Sequence, residues 1–365
     1  MSACDLAPGY IRAIAPYQPG KPTSELAREL GLEEASIIKL ASNENPLGVS
    51  PKALAAMRAL LDGLARYPDG NGFELKQALA QRFGVAQNQI VLGNGSNDVL
   101  ELAARSFLAP GLSAVYSQHA FAVYPLAVQA VGAKGIEVPA KNYGHDLAAI
   151  AAAVRADTRI VFIANPNNPT GTFISGAEVE AFVAKLPSEV LVVLDEAYTE
   201  YLRPDFRYDS ISWLNKYPNL VITRTFSKVF GLAGLRVGYA LAAAGVADLM
   251  NRVRQPFNVN SLSLAAAAAA LNDEAFIRDS YELNCRGMDQ IVAGLGKLGL
   301  KHIPSYGNFI TFEVPKAGEV FQKLLRLGVI VRPIAAYGMP GHLRVSIGLE
   351  SENARFLDAL KQALG

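Results

Sequence analysis

Cysteine is nearly absent: the chain of 365 residues has two, Cys4 and Cys285. They lie far apart and show no metal-ligand spacing. A disulfide framework is thereby excluded, and a reducing compartment is the expected setting. An excess of either charge is missing too, with 34 basic residues against 33 acidic ones and a net charge of +1. Without a basic block or tail, neither nucleic acid nor a membrane surface is expected as a partner. A small anionic substrate is still allowed, since it needs only a few local arginines. No apolar run is longer than Leu264 to Leu271, which is mostly alanine and falls well short of the ~20 residues that span a bilayer. The opening MSACDLAPGYIRAIAPYQPGKP has neither the charged start nor the unbroken apolar core of a secretory leader, so a cytoplasmic protein is expected. No internal repeat occurs, and no low-complexity segment beyond the alanine run.

What is present is ordinary globular composition, 51% hydrophobic and 18% charged, with length for a large core and for two domains. From Ser50 onward helical patterns alternate with short apolar runs. Ser50-Pro51 opens a helix, serine being a good N-cap and proline being tolerated at the first helical position. Strands are expected at Ile90 to Leu92, Ala114 to Tyr116, Gly135 to Val138, Ile160 to Ile163, Val190 to Leu194, Leu220 to Arg224 and Val237 to Ala240. Many are apolar throughout, as strands covered on both faces are, and their alternation with helices implies an α/β fold with a mostly parallel sheet. The last third changes character, with long helices from Asn260 and from Glu274, then short strands and a helix around Gly318 to Leu327. A smaller α+β domain is expected there. The division is a large domain of residues 45–258, with 1–44 and 259–365 forming the small one.

Ligands of such sheets collect at the carboxyl ends of the strands. Four strand-end segments have the polar content to receive one. In Thr223-Arg-Thr-Phe-Ser-Lys-Val-Phe-Gly-Leu-Ala-Gly-Leu-Arg-Val-Gly-Tyr239, Lys228 sits in a glycine-rich, apolar loop. Burial there disfavours its ammonium form, which suits an amine that forms Schiff bases. Ser227 and Arg236 offer a hydroxyl and a guanidinium to a phosphate on the same ligand. A lone Ser-Lys pair would read as a surface turn; the added Gly-Leu-Arg-Val-Gly makes the pattern specific. In Val190-Leu-Val-Val-Leu-Asp-Glu-Ala-Tyr198, an acid pair ends an apolar strand. It reads as a metal or nucleotide site, as a partner for a buried cation, or as a helix cap. The nucleotide reading fails because no G-x-x-x-x-G-K-[ST] occurs. Asp195 can instead hold a protonated ring nitrogen, keeping the ring an electron sink, with Tyr198 reaching a ring oxygen. In Asn165-Pro-Asn-Asn-Pro-Thr-Gly171 two prolines fix a turn around Asn168, a donor for that same oxygen. Gly93-Asn-Gly-Ser-Asn-Asp98 joins a strand to a helix, where backbone N–H groups favour phosphate.

With these motifs, the chain resembles the fold-type I pyridoxal-phosphate (PLP) enzymes of the class I/II aminotransferase group. Within that group it is similar to the histidinol-phosphate aminotransferase branch. The resemblance runs from Pro16-Tyr-Gln-Pro-Gly20 through Lys39-Leu-Ala-Ser-Asn-Glu-Asn-Pro-Leu-Gly48 and Arg66-Tyr-Pro-Asp69 to Leu343-Arg-Val-Ser-Ile-Gly348. It implies a mixed, mostly parallel seven-stranded sheet in the large domain. Lys228 would carry the cofactor and move the substrate's proton, Asp195 would pair the ring nitrogen, and Asn168 and Tyr198 would contact the ring's phenolic oxygen. Gly95, Ser96 and Asn97, chiefly by backbone, would hold the phosphate with Ser227 and Arg236. Phe121, in His119-Ala-Phe-Ala-Val-Tyr124, would stack on the ring, where phenylalanine in place of tyrosine loses only a hydroxyl. Tyr67 would reach the cofactor phosphate of a partner subunit, making a homodimer with shared sites. Tyr17, Arg332 and Arg344 would receive the anionic end of a small-molecule substrate. Arginine suits phosphate and carboxylate alike. The resemblance thus implies transamination between histidinol phosphate and 2-oxoglutarate, with no metal. An aromatic amino-acid aminotransferase and a PLP decarboxylase of a phosphorylated amino acid are the rival enzymes. A PLP-fold regulator without catalysis is the rival outside enzymes.

Overall fold

The computed structural model describes residues 2–365. All seven expected strands form, and they make one sheet. Its order is Ile90–Gly93, Gly238–Ala242, Leu220–Thr225, Leu191–Asp195, Thr158–Ala164, Ser113–Ser117, Lys134–Val138. Only Gly238–Ala242 runs antiparallel to its neighbours; the other pairings are parallel. The interior strands are buried along almost their whole length, as strands covered on both faces should be. Two apolar clusters fill the faces: one holds Leu75, Ile163, Leu194 and Ile222, the other Leu100, Tyr124, Phe162 and Val193.

This order positions the site. Thr158–Ala164, Leu191–Asp195 and Leu220–Thr225 are adjacent and parallel, so the loops after them open on one edge of the sheet. Gly238 pairs with both Thr225 and Gly93, so the antiparallel strand starts where its neighbours end. Arg236 and the Gly93–Asn97 turn therefore arrive at the same edge.

A four-stranded antiparallel sheet follows in the last third, in the order Arg332–Pro333, His342–Ser346, Phe309–Glu313, His302–Ile303. Its core takes Phe312, Leu324, Val345 and Phe356 from strands and helices, together with Leu40 from the N-terminal segment. Ile38–Lys39 pairs in parallel with Val329–Ile330. This strand joins the N-terminal segment to the C-terminal part. The helix Gly9–Arg12 instead touches the helix Val123–Ala130 of the large sheet, with Gln129 Nε2 donating to the Tyr10 carbonyl.

One boundary differs from the expectation. The alanine-rich helix Ser261–Leu271 packs on the helices Pro51–Arg58 and Phe73–Phe83, and its buried Ala266, Ala267, Ala270 and Leu271 join the core of the large sheet. Small side chains allow that close helix contact, which places 261–271 with the large sheet and not with the C-terminal part. Among the described residues no helix is long and apolar enough to cross a membrane, and no cluster of metal-binding side chains occurs.

Candidate active site

A cavity of about 530 Å³ lies at the carboxyl edge of the large sheet, walled on its other side by the C-terminal sheet and residues 41–44. Asp195 ends its strand with the side chain 5% exposed. Tyr124 donates to its Oδ2 at 2.8 Å, while Oδ1 is buried with no partner. Burial pushes this carboxyl up to about 6, against the pull of the Tyr124 hydroxyl. An orphaned carboxylate oxygen of this kind calls for a donor on a ligand, and a cationic ring N–H answers it. Glu196, the next residue, turns away from the cavity. It accepts Arg224 from the neighbouring strand at 3.0 Å (Nε) and 2.8 Å (Nη2), so the acid pair divides between a buried cation and the cavity.

Lys228 lies across from Asp195 in the same cavity. Its Nζ donates to the Ser42 carbonyl at 3.0 Å and sits 5.7 Å from the Tyr198 ring centroid. Burial, and then the nearby charge of Arg344, bring its pKa down to about 7. Such an amine is free in part at neutral pH and is a competent nucleophile. Tyr198 is 3% exposed, and burial raises its phenol to about 12, so the hydroxyl stays protonated as a donor.

An anion cradle closes one end. The helix Ser96–Phe107 points its amino end at the cavity, through Ser96 and Asn97. Arg236 Nη1 donates to Ser227 Oγ at 3.1 Å and to the Ala233 carbonyl at 3.0 Å, which locks the guanidinium beside that helix end. Gly95 lies behind the wall with φ of +83°. A Cβ built there would stand 2.1 Å from Arg236 Nη2, so only glycine permits this approach.

The other end is cationic as well. Arg344 is 6% exposed; it donates to Asn168 Oδ1 at 2.5 Å and to the Ala41 carbonyl at 2.7 Å, and its Nε is buried without a partner. Because Arg344 takes Oδ1, the Asn168 amide keeps its N–H donors for the cavity. Arg332 pairs with Arg344 across the antiparallel strands and lies 5.4 Å from the centroid of the half-exposed Tyr17 ring. Among the described residues neither arginine has a carboxylate partner. Phe121 lines the cavity, its ring edge-on to Tyr124 at 5.9 Å.

The family described as aminotransferase class I and II matches residues 35–360. The chain belongs to that family. It is 65% identical over 364 residues to histidinol-phosphate aminotransferase 1 of Dechloromonas aromatica (strain RCB), with 100% of each chain covered. It is 64% identical over 365 residues to histidinol-phosphate aminotransferase 2 of Nitrosospira multiformis, covering 100% of this chain and 93% of that one. Its fold matches the crystal structure of histidinol-phosphate aminotransferase from Sinorhizobium meliloti in complex with pyridoxal-5'-phosphate. There the TM-score is 0.89 at 28% identity, over 98% of this chain and 96% of that one.

As an aminotransferase, the chain brings nearly all its sequence-derived residues together. Asp195, Tyr198, Lys228, Asn168, Ser227 and Arg236 line one cavity, and so do Ser96, Asn97, Phe121, Tyr17, Arg332 and Arg344. Gly95 acts one layer back, and Tyr67 does not line its own cavity; it is 83% exposed and stacks on Phe257 at 4.8 Å. Sequence reasoning gave no role to Tyr124, to Tyr337 beside the two arginines, to Thr225, or to residues 41–43, all of which line or support the cavity. Tyr124 lies within the motif quoted for Phe121, and helical spacing buries it. Its reach to Asp195 depends on sheet order, which no local pattern carries. The residues present fit PLP: an orphaned acid for the ring nitrogen, an amine for the aldehyde, and an N–H, hydroxyl and guanidinium set for the phosphate.

Proposed function

We propose that the chain transfers an amino group between histidinol phosphate and 2-oxoglutarate, giving imidazole-acetol phosphate and glutamate, as a step of histidine biosynthesis. Bound PLP supplies an aldehyde that condenses with amines and an electron-poor ring that delocalises the electrons of a deprotonated substrate carbon. The residues do the rest. Asp195, as carboxylate, keeps the ring nitrogen protonated. Lys228 would hold the aldehyde and yield it to a substrate amine. The freed Nζ, with its lowered pKa, then takes the proton from the substrate's α carbon. Tyr198 and Asn168 donate to the phenolic oxygen. The helix end, Ser227 and Arg236 anchor the phosphate, and Arg332 and Arg344 receive the substrate's anionic end.

The arginine pair carries the choice of donor. Two guanidinium groups paired across adjacent strands, one of them buried, with no carboxylate to neutralise them, suit a phosphate dianion better than a single carboxylate. The test is kcat/KM for histidinol phosphate against phenylalanine and tyrosine, each with 2-oxoglutarate. A preference for histidinol phosphate of a hundredfold or more supports the reading. Preference for an aromatic amino acid replaces the substrate, and carbon dioxide release without a keto acid replaces the reaction.

The same proposal includes a homodimer in which Tyr67 of one protomer reaches the cofactor phosphate held by the other. Support comes from the exposed apolar side chains of one stretch, Leu60, Leu61, Leu64, Tyr67 and Phe73. A cytoplasmic setting is also proposed, supported by two cysteines that are both free.

A further inference from the structure

Residues 41–43 come from the N-terminal segment, yet three consecutive groups of that stretch hold three site residues. The Ala41 carbonyl accepts from Arg344 Nη2 at 2.7 Å, and the Ser42 carbonyl accepts from Lys228 Nζ at 3.0 Å. Asn43 Nδ2 donates to the Tyr198 hydroxyl at 2.9 Å. The third contact differs from the others because it acts on a group that must itself donate. A phenol has one proton and two lone pairs. Once Asn43 fills a lone pair, the proton is directed elsewhere. Among the described residues the Tyr198 hydroxyl has no other hydrogen-bond partner, so the cavity is where its proton goes.

The direction of the amide decides whether this works, because a flipped Asn43 would accept the phenol's proton and draw it out of the cavity. Ser346 sets the direction. The Asn43 backbone N–H donates to Ser346 Oγ at 2.8 Å, and Ser346 Oγ donates its single proton to Asn43 Oδ1 at 3.0 Å. With the amide flipped, the serine proton would lose its acceptor inside a buried network, Asn43 being 1% and Ser346 3% exposed. The backbone is fixed too: Asn43 adopts φ of +55°, a conformation asparagine tolerates, and its carbonyl accepts from Asn308 Nδ2 at 3.0 Å.

We infer that Asn43 is a positioning residue, its amide turned by Ser346 so that the Tyr198 hydroxyl donates its proton into the cavity toward the cofactor's phenolic oxygen. The inference rests on the PLP reading of the cavity. A donor at that oxygen stabilises its negative charge and so weakens the competing hold on the proton of the lysine–cofactor linkage. Loss of the donor raises the pH at which that linkage deprotonates and the bound cofactor changes colour.

The experiment is a spectroscopic pH titration of the holoenzyme in four forms: wild type, Asn43→Gly, Tyr198→Phe and the double variant. Glycine removes the amide and accepts the positive φ. Asn43→Asp is a second variant of nearly the same shape that can accept but not donate, and it covers the case in which the glycine form does not fold. Tyr198→Phe should raise the colour midpoint by about one pH unit, as expected for a lost hydrogen bond to a charged oxygen. Asn43→Gly should raise it by about half a unit or more in the wild type and leave it unchanged in the Tyr198→Phe background; Asn43→Asp, whose charge also acts directly on the linkage, should raise it by more in the wild type than in the Tyr198→Phe background. An unshifted midpoint in the single variants, or an equal shift in both backgrounds, overturns the inference. A wild-type protein that binds no chromophore overturns the PLP reading and this inference with it, and is distinct from either result.

Discussion

Replacing Asp195 by asparagine should make the cofactor-free protein more stable while removing its activity. Asp195 is 5% exposed, and burial moves its carboxyl from 3.8 to about 6. A folded pKa raised above the unfolded value means stability that is fully present below about pH 4 and is lost as pH rises through about 6. At 1.36 kcal/mol per unit the loss amounts to about 3 kcal/mol at pH 8. Asparagine has no such charge to bury and can still accept the Tyr124 hydroxyl. For a chain of 365 residues at about 2.1 cal/mol/K per residue, 3 kcal/mol corresponds to about 4 °C in Tm. The assay is thermal and denaturant unfolding of the apoproteins at pH 8 and pH 4. Asp195→Asn should be the more stable at pH 8, and the gap should shrink toward pH 4. Saturating PLP should then stabilise the wild type more than the variant, since only the wild type offers the ring nitrogen an acid. Equal apoprotein stabilities at pH 8, or a gap independent of pH, would refute the reasoning.

Three other outcomes follow from the same geometry. With its pKa brought down to about 7, Lys228 presents on the order of a thousandfold more free amine at pH 7 than an ordinary lysine at 10.5. The rate at which the apoprotein captures PLP, followed by absorbance, should therefore rise through about pH 7 and level off, and a midpoint near 10 would contradict it. Gly95→Ala places a Cβ 2.1 Å from Arg236 Nη2 at φ of +83°, so spectral titration should show PLP affinity reduced about tenfold or more, with unchanged affinity as the contrary result. Arg332→Gln should lower kcat/KM for histidinol phosphate by about 10–150-fold, the range for a lost charge-assisted hydrogen bond, and lower it less for phenylalanine; Arg344→Gln should depress both.

Much of this is legible in the sequence, for identifiable physical reasons. Short apolar runs marked the seven strands of the large sheet, most clearly the interior ones, because strands buried on both faces cannot hide their composition. Asp195 and Lys228 were legible because a charged side chain at the end of such a run, or within a few residues beyond it, lies at the strand end where parallel sheets keep their ligands. What stayed hidden depended on which strands neighbour which. Tyr124 follows Ser113–Ser117, yet it reaches Asp195 past the intervening strand Thr158–Ala164. Asn43 is separated from Ser346 by 303 residues, a contact no spacing encodes. The pairs His302–Ile303 and Arg332–Pro333 are too short to show a period. The alanine run gave helix but not partner, because its residues have no face polar enough to show which side is buried.

The central claim is that the cavity is built around Lys228 as the lysine that carries PLP. Borohydride reduction of the PLP-loaded protein, followed by proteolysis and peptide mass mapping, tests it most directly. The account predicts a pyridoxyl group on the peptide containing Lys228 and none on that peptide in Lys228→Ala. A pyridoxyl group on a different lysine, or no modified peptide at all, would contradict it.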